Sequence, residues 1–178
     1  MSTVPLRREG GGQSARLTLP RLVFNVRSAS LLTDLALVVV RTVLAWIFIY
    51  YGAGKLFSAF NGPGIHATTL YFSNVAGLHP GSVFAWLNAI VELGGGIAVA
   101  LGLFTRLAGL ALFVDMVVAM ITVTWGTGIN STTHPPGYQL NIAVAGLALV
   151  IALVGAGRLS LDALIDRRLS SRGTTTTP

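Results

Sequence analysis

Three ionisable residues stand where this chain has least room for charge. Arg41, Glu92 and Asp115 each lie near the middle of a long apolar block, and a charge at the centre of a membrane-spanning helix costs about 2.5 to 3.5 kcal/mol on insertion scales. In such surroundings they can pair with one another, hold a proton, or hold a polar ligand. A guanidinium offers a planar fork of donors that serves two carboxylates at once, so the economical arrangement is one buried network of Arg41, Glu92 and Asp115 at a common depth. With all three ionised, one negative charge is left over, which favours a proton resting on one of the carboxyls. The same residues also permit a plainer reading, a polar network that does nothing but set helix register.

Gly94, Gly95 and Gly96 follow Glu92 by one turn. Glycines inside a spanning helix remove side chains and let a neighbouring backbone approach, so these three are expected to be helix-packing sites. Lys55, Trp125, His134, Tyr138, Gln139 and Asn141 fall near the other ends of the blocks and are candidates for a polar mouth with ligand contacts. Lys and aromatic residues at such positions also act as interfacial anchors. His134 has no second His or acid at ligand spacing, so no metal site is expected. The chain contains no cysteine, which excludes thiolate nucleophiles, disulfide exchange and thiol-bound clusters. No catalytic constellation emerges.

The elements that must position these residues are helices in a bilayer. Of 178 residues, 53% are hydrophobic and only 10% are charged, with a mean hydropathy of +0.73, a composition too apolar for an ordinary soluble domain. The apolar residues form four blocks, about 31–53, 83–103, 106–126 and 138–157, each near the ~20 residues that span a hydrocarbon core. The expected fold is therefore all-α, an integral membrane four-helix bundle. The second and third blocks are joined so closely that they must form an antiparallel hairpin. Between the first two, Ile65, Thr68, Thr69, Phe72, Val75 and Ala76 recur at helical spacing between Pro63 and Gly77, which predicts a short amphipathic helix on the outer surface. After the fourth block, Ser160 is a natural N-cap, and Leu161, Leu164, Ile165 and Leu169 share one face of a second amphipathic helix.

Residues 1–30 form a basic tail and 158–178 a terminal helix with a polar, Thr-rich end. Nine of the twelve Lys and Arg lie in these two segments, a distribution that places both termini in the cytoplasm. No stacking aromatics accompany the tail arginines, so nucleic acid is not an expected partner.

RTVLAWIFIYYGAGKLF (41–57), NGPGI (61–65), Glu92-x-x-Gly-Gly running into GLFTRLAGL (102–110), and GRLSLD (157–162) together resemble the DoxX family of small four-helix membrane proteins. The resemblance spans most of residues 35–165. Related sequences often carry an acid where the fourth helix begins, and here the chain reads Gly137-Tyr138-Gln139. The resemblance implies a bacterial plasma membrane and a setting in membrane redox assemblies, either thiosulfate:quinone oxidoreduction or oxidative-stress complexes. It implies a non-catalytic accessory or docking subunit with other protein subunits and membrane lipids as partners, no intrinsic cofactor, and quinone or lipid as the bound molecule. A small carrier that uses the midplane Arg/Glu/Asp cluster is the alternative, and an independent enzyme ranks last.

Overall fold

A computed structural model describes residues 31–130, 132 and 136–172, the side chains of 170–172 excepted. Among them the chain is helical, without strands. Helix α1 is Leu31–Phe57, α2 Gly64–Asn74, α3 Gly81–Leu101, α4 Thr105–Ala119, α5 Gln139–Val154 and α6 Leu161–Arg172. Asp34 in the first turn of α1 and Lys55 in its last oppose the helix dipole in the favourable sense. Helix α4 continues through a π-helical turn, Met120–Thr124, and a 3-10 turn, Trp125–Thr127.

Helices α1, α3, α4 and α5 form the bundle. Helix α1 lies against α3, α3 against α4 and α4 against α5, with a thinner contact from α5 back to α1. The core consists of Leu37, Leu44, Phe48, Val99, Ala108, Leu112, Val144, Ala148 and Ile151. Outside it, Leu35, Trp46, Ile90, Val114 and Leu153 are exposed. A protein this small with large apolar side chains covering its flanks is solvated by lipid, not water. Three helices, Leu31–Phe57, Gly81–Leu101 and Thr105–Thr127, are long and apolar enough to cross a membrane. The fourth, expected over 138–157, ends at Val154, because Gly155 at φ 90° turns the chain away. Its 16 residues span about 24 Å.

We call the end of the bundle that carries Leu31 and residues 155–172 the terminal end, and the opposite one the loop end. Helix α2 sits at the loop end against α3. Its expected inner face is observed in part: Thr68 is buried and Ile65, Thr69 and Phe72 are half-buried, but the helix ends at Asn74 and Val75 beyond it is exposed. At the terminal end Ser160 caps α6, its Oγ accepting from the Ala163 N–H at 3.1 Å.

The three consecutive glycines are not equivalent. A Cβ on Gly94 would meet nothing within 4 Å, one on Gly95 would meet the side chain of Leu112 on α4, and one on Gly96 would lie 3.0 Å from the backbone nitrogen of Ile49 on α1. A tighter approach lies across from them at Gly52, where a Cβ would fall 2.5 Å from the backbone nitrogen of Leu93. Backbone cannot step aside as a side chain does. Gly52→Ala is therefore expected to destabilise the bundle by about 1 to 3 kcal/mol, the usual cost of overpacking, whereas Gly94→Ala should leave stability unchanged or raise it. Thermal unfolding in detergent checks the contrast, and a Gly52→Ala protein that melts with the wild type would disprove the close α1–α3 contact.

Candidate functional site

Asn88 and Glu92 stand one turn apart on α3 and so share a face, in a helix otherwise made of apolar and small residues. That face meets Lys55 near the end of α1 and Asp115 on α4. The Lys55 ammonium donates to Glu92 Oε1 at 2.7 Å and to Asn88 Oδ1 at 2.6 Å. The Asn88 amide in turn donates to Asp115 Oδ1 at 2.6 Å. Asn88 is thus a coupler: its oxygen accepts a hydrogen bond from the cation and its nitrogen donates one to the second carboxylate. The Lys55 and Glu92 side chains are only 20% and 5% exposed, so this ion pair escapes much of the solvent screening that makes surface pairs weak.

The cluster is incomplete in one respect. Glu92 Oε2 and Asp115 Oδ2 are buried and have no hydrogen-bond partner among the described residues. Buried acceptors are nearly always satisfied, and leaving one unmade costs about 1 to 3 kcal/mol. Lys55, Asn88, Glu92 and Asp115 all line a cavity of about 870 Å³ between α2, α3 and α4, walled by apolar side chains that include Phe72, Phe84, Val91, Leu110, Val114 and Val118. Ligand sites typically measure about 300 to 1,000 Å³ and combine apolar walls with a few convergent polar groups. This one suits a molecule with an apolar body and a small polar head.

Arg41 is not part of it. The sequence reading joined Arg41 to Glu92 and Asp115, and the structure replaces it there with Lys55. The Arg41 guanidinium instead donates to four carbonyl oxygens: from Nε to Val99 at 2.9 Å, from Nη2 to Ala100 at 2.8 Å, and from Nη1 to Ala156 at 3.1 Å and Leu159 at 2.8 Å. It ties the last turn of α3, whose carbonyls have no helical partner, to the segment between α5 and α6. The reason is register. Lys55 is level with Asn88 and Glu92, so Arg41, about 21 Å further back along α1, is level with Val99 and Ala100 at the terminal end. Block midpoints misjudged the depth because the first turns of α1 run beside residues 157–158, where Asp34 accepts from the Arg158 N–H at 3.0 Å, and not beside α3.

The same terminal end explains the GRLSLD stretch. Asp162 accepts from the backbone N–H groups of Phe104 at 2.8 Å and Thr105 at 3.0 Å, so a residue of α6 supplies the cap for α4 that its own flank lacks. Gly102, at φ 68°, closes α3 in the left-handed region, and a Cβ there would strike the Arg41 guanidinium and Ser160. Glycine meets both demands.

The expected mouth residues divide. Lys55 and Asn141 line the cavity. Trp125 and Tyr138 stack on each other at the loop end, with ring centroids 5.5 Å apart, outside the cavity lining. Gln139 is exposed, and His134 lies outside the described residues. Sequence reasoning missed Asn88. Its signal was present as the four-residue spacing to Glu92 on a helix with no other strongly polar interior residue.

A lipid-facing bundle of antiparallel apolar helices, with a cavity that opens on its flank beside one polar cluster, defines a polytopic helical membrane protein with a ligand-sized site. Comparison with known sequences places it further. The profile described as DoxX matches residues 36–125, and that described as TQO small subunit DoxD matches residues 82–176. The chain belongs to the DoxX family. It is 27% identical to the inner membrane protein YqjF of Escherichia coli over 77% of this chain and 97% of that protein. To the Escherichia coli inner membrane protein YphA it is 28% identical, covering 71% and 87% respectively. It is 29% identical to the uncharacterized membrane protein Rv3486 of Mycobacterium tuberculosis, covering 78% and 84%. No solved structure matches.

Proposed function

We propose that this chain is a non-catalytic membrane subunit of a quinone-linked redox complex and that its cavity takes an isoprenoid quinone, with the head at Lys55, Asn88, Glu92 and Asp115. The observation that carries the reading is a single polar cluster with two unpartnered carboxyl oxygens lining a large apolar cavity. The DoxD match, to the small subunit of a thiosulfate:quinone oxidoreductase, supports the quinone and the protein partners. The absence of cysteine from the sequence means that any thiolate or disulfide step belongs to another subunit. Mass spectrometry of the complex extracted gently from its native membrane tests this: protein partners and a bound quinone are expected together, and a chain recovered with neither sinks the proposal.

In this reading both termini lie in the cytoplasm, with α6 and the tails facing soluble partners. The terminal end carries Arg158, Arg167 and Arg168, and the sequence before residue 31 holds five more arginines, while the loop end carries Lys55, which is turned inward. Because the chain has no cysteine, one introduced thiol reports topology without background. Thr132→Cys in intact cells should react with an impermeant maleimide and Asp166→Cys should not; the reverse pattern rejects the orientation.

A further inference from the structure

We infer that the cavity selects the reduced form of its ligand, a hydroquinone, over the oxidised quinone, through O–H donation to Glu92 Oε2 and Asp115 Oδ2. This rests on the quinone reading above and adds to it the redox state that the site recognises.

The argument is an inventory of donors and acceptors. Lys55 has three N–H donors and uses two of them, on Glu92 and Asn88. The Asn88 amide has two and uses one, on Asp115. Glu92 Oε2 and Asp115 Oδ2 are buried acceptors with nothing to accept. A quinone head carries carbonyl oxygens only. It can accept from the spare Lys55 N–H, and from a carboxyl that holds a proton, but it leaves an ionised carboxylate oxygen as unsatisfied as before. A hydroquinone head carries O–H groups, each able to donate to a carboxylate while its oxygen accepts from Lys55 or Asn88. Only the reduced head completes the network.

Charge points the same way. Lys55 brings one positive charge to two carboxyl groups, so the cluster has more acceptor than donor character, which disfavours a second electron-rich carbonyl and favours a proton-bearing head. Making one hydrogen bond to a buried carboxylate that is otherwise left unmade corresponds to about a tenfold change in affinity. A subunit of this kind would collect the reduced product of an oxidoreductase step and return it to the membrane, not deliver the oxidised acceptor. The shared chemistry is a hydroxyl-bearing head on an apolar body, which a glycerol-headed lipid also has, so the test includes one.

The full chain in phosphatidylcholine nanodiscs, which offer no hydroxyl head, is titrated anaerobically with a decyl-substituted benzohydroquinone, with the matching benzoquinone, and with a monoacylglycerol, and the heat of binding is followed. The hydroquinone is expected to bind about tenfold or more tightly than the quinone, and the gap should narrow in Asp115→Asn, which keeps the size and the bond to Asn88 but loses the charged acceptor. The comparison within the wild-type protein stands even if that variant fails to fold. Equal affinity for the two forms, or tighter binding of the quinone, overturns the redox selection and leaves the quinone site intact. Binding of neither form overturns both readings. A monoacylglycerol that competes as well as the hydroquinone shows a general hydroxyl site and also overturns the assignment.

Discussion

Lys55→Met should destabilise the bundle by about 3 to 5 kcal/mol, the loss seen when one partner of a buried ion pair is removed and the other stays. The substitution takes away the donor to Glu92 Oε1 and Asn88 Oδ1 and leaves two carboxyl groups without a cation. A triple variant, Lys55→Met with Glu92→Leu and Asp115→Leu, should be closer to wild type than the single change, because no buried charge is left unpaired. Unfolding of the set in detergent provides the measurement, with a double-mutant cycle between Lys55 and Glu92 expected to show a coupling of at least about 1 kcal/mol. Additive effects would mean that the contact at 2.7 Å does not persist in the folded protein. The triple variant should also lose hydroquinone binding, which separates the stability of the cluster from its use.

Arg41→Leu is the second large effect, with a different signature. Hydrogen bonds to a charged group contribute about 1.5 to 3 kcal/mol each, and Arg41 makes four, to Val99, Ala100, Ala156 and Leu159. They share one side chain and are not additive, so a loss of about 3 to 5 kcal/mol is the reasonable scale. Arg41→Lys should recover only part of it, since an ammonium has three donors on a flexible stem where the guanidinium has five in a fixed plane. Hydrogen exchange locates the damage: protection should fall at residues 155–162 and in the last turn of α3, while Asn88, Glu92 and Asp115 keep their environment. A cycle between Arg41 and Glu92 should be additive within about 0.5 kcal/mol, as for distant sites. Strong coupling there would restore the network expected from the sequence and refute the register of α1 on α3.

The two variants together show how far the sequence alone carries. The membrane class, the helix count, the tight connection between α3 and α4, the amphipathic α2 and the Ser160 cap were all legible, because each depends on local periodicity, length or a capping residue within a few positions of the element it shapes. The presence of a buried polar site was legible too, since Glu92 and Asp115 are costly in an apolar span wherever they point. Which cation meets them was not. That choice is made by the sliding register of two antiparallel helices, and register is set by the fit of Leu93 against Gly52 and of Ile49 against Gly96, contacts between residues some forty positions apart. Hydropathy marks where a helix enters the apolar region only to within a turn or two, and α1 extends past its apolar block to Phe57. Arg41 and Lys55 stand about four turns apart on α1, so the exchange exceeds an error in a helix end and comes from assuming that the middle of the α1 block faces the middle of α3. Tertiary packing made the assignment because backbones that touch at glycine admit one register, whereas hydrophobic burial alone admits several.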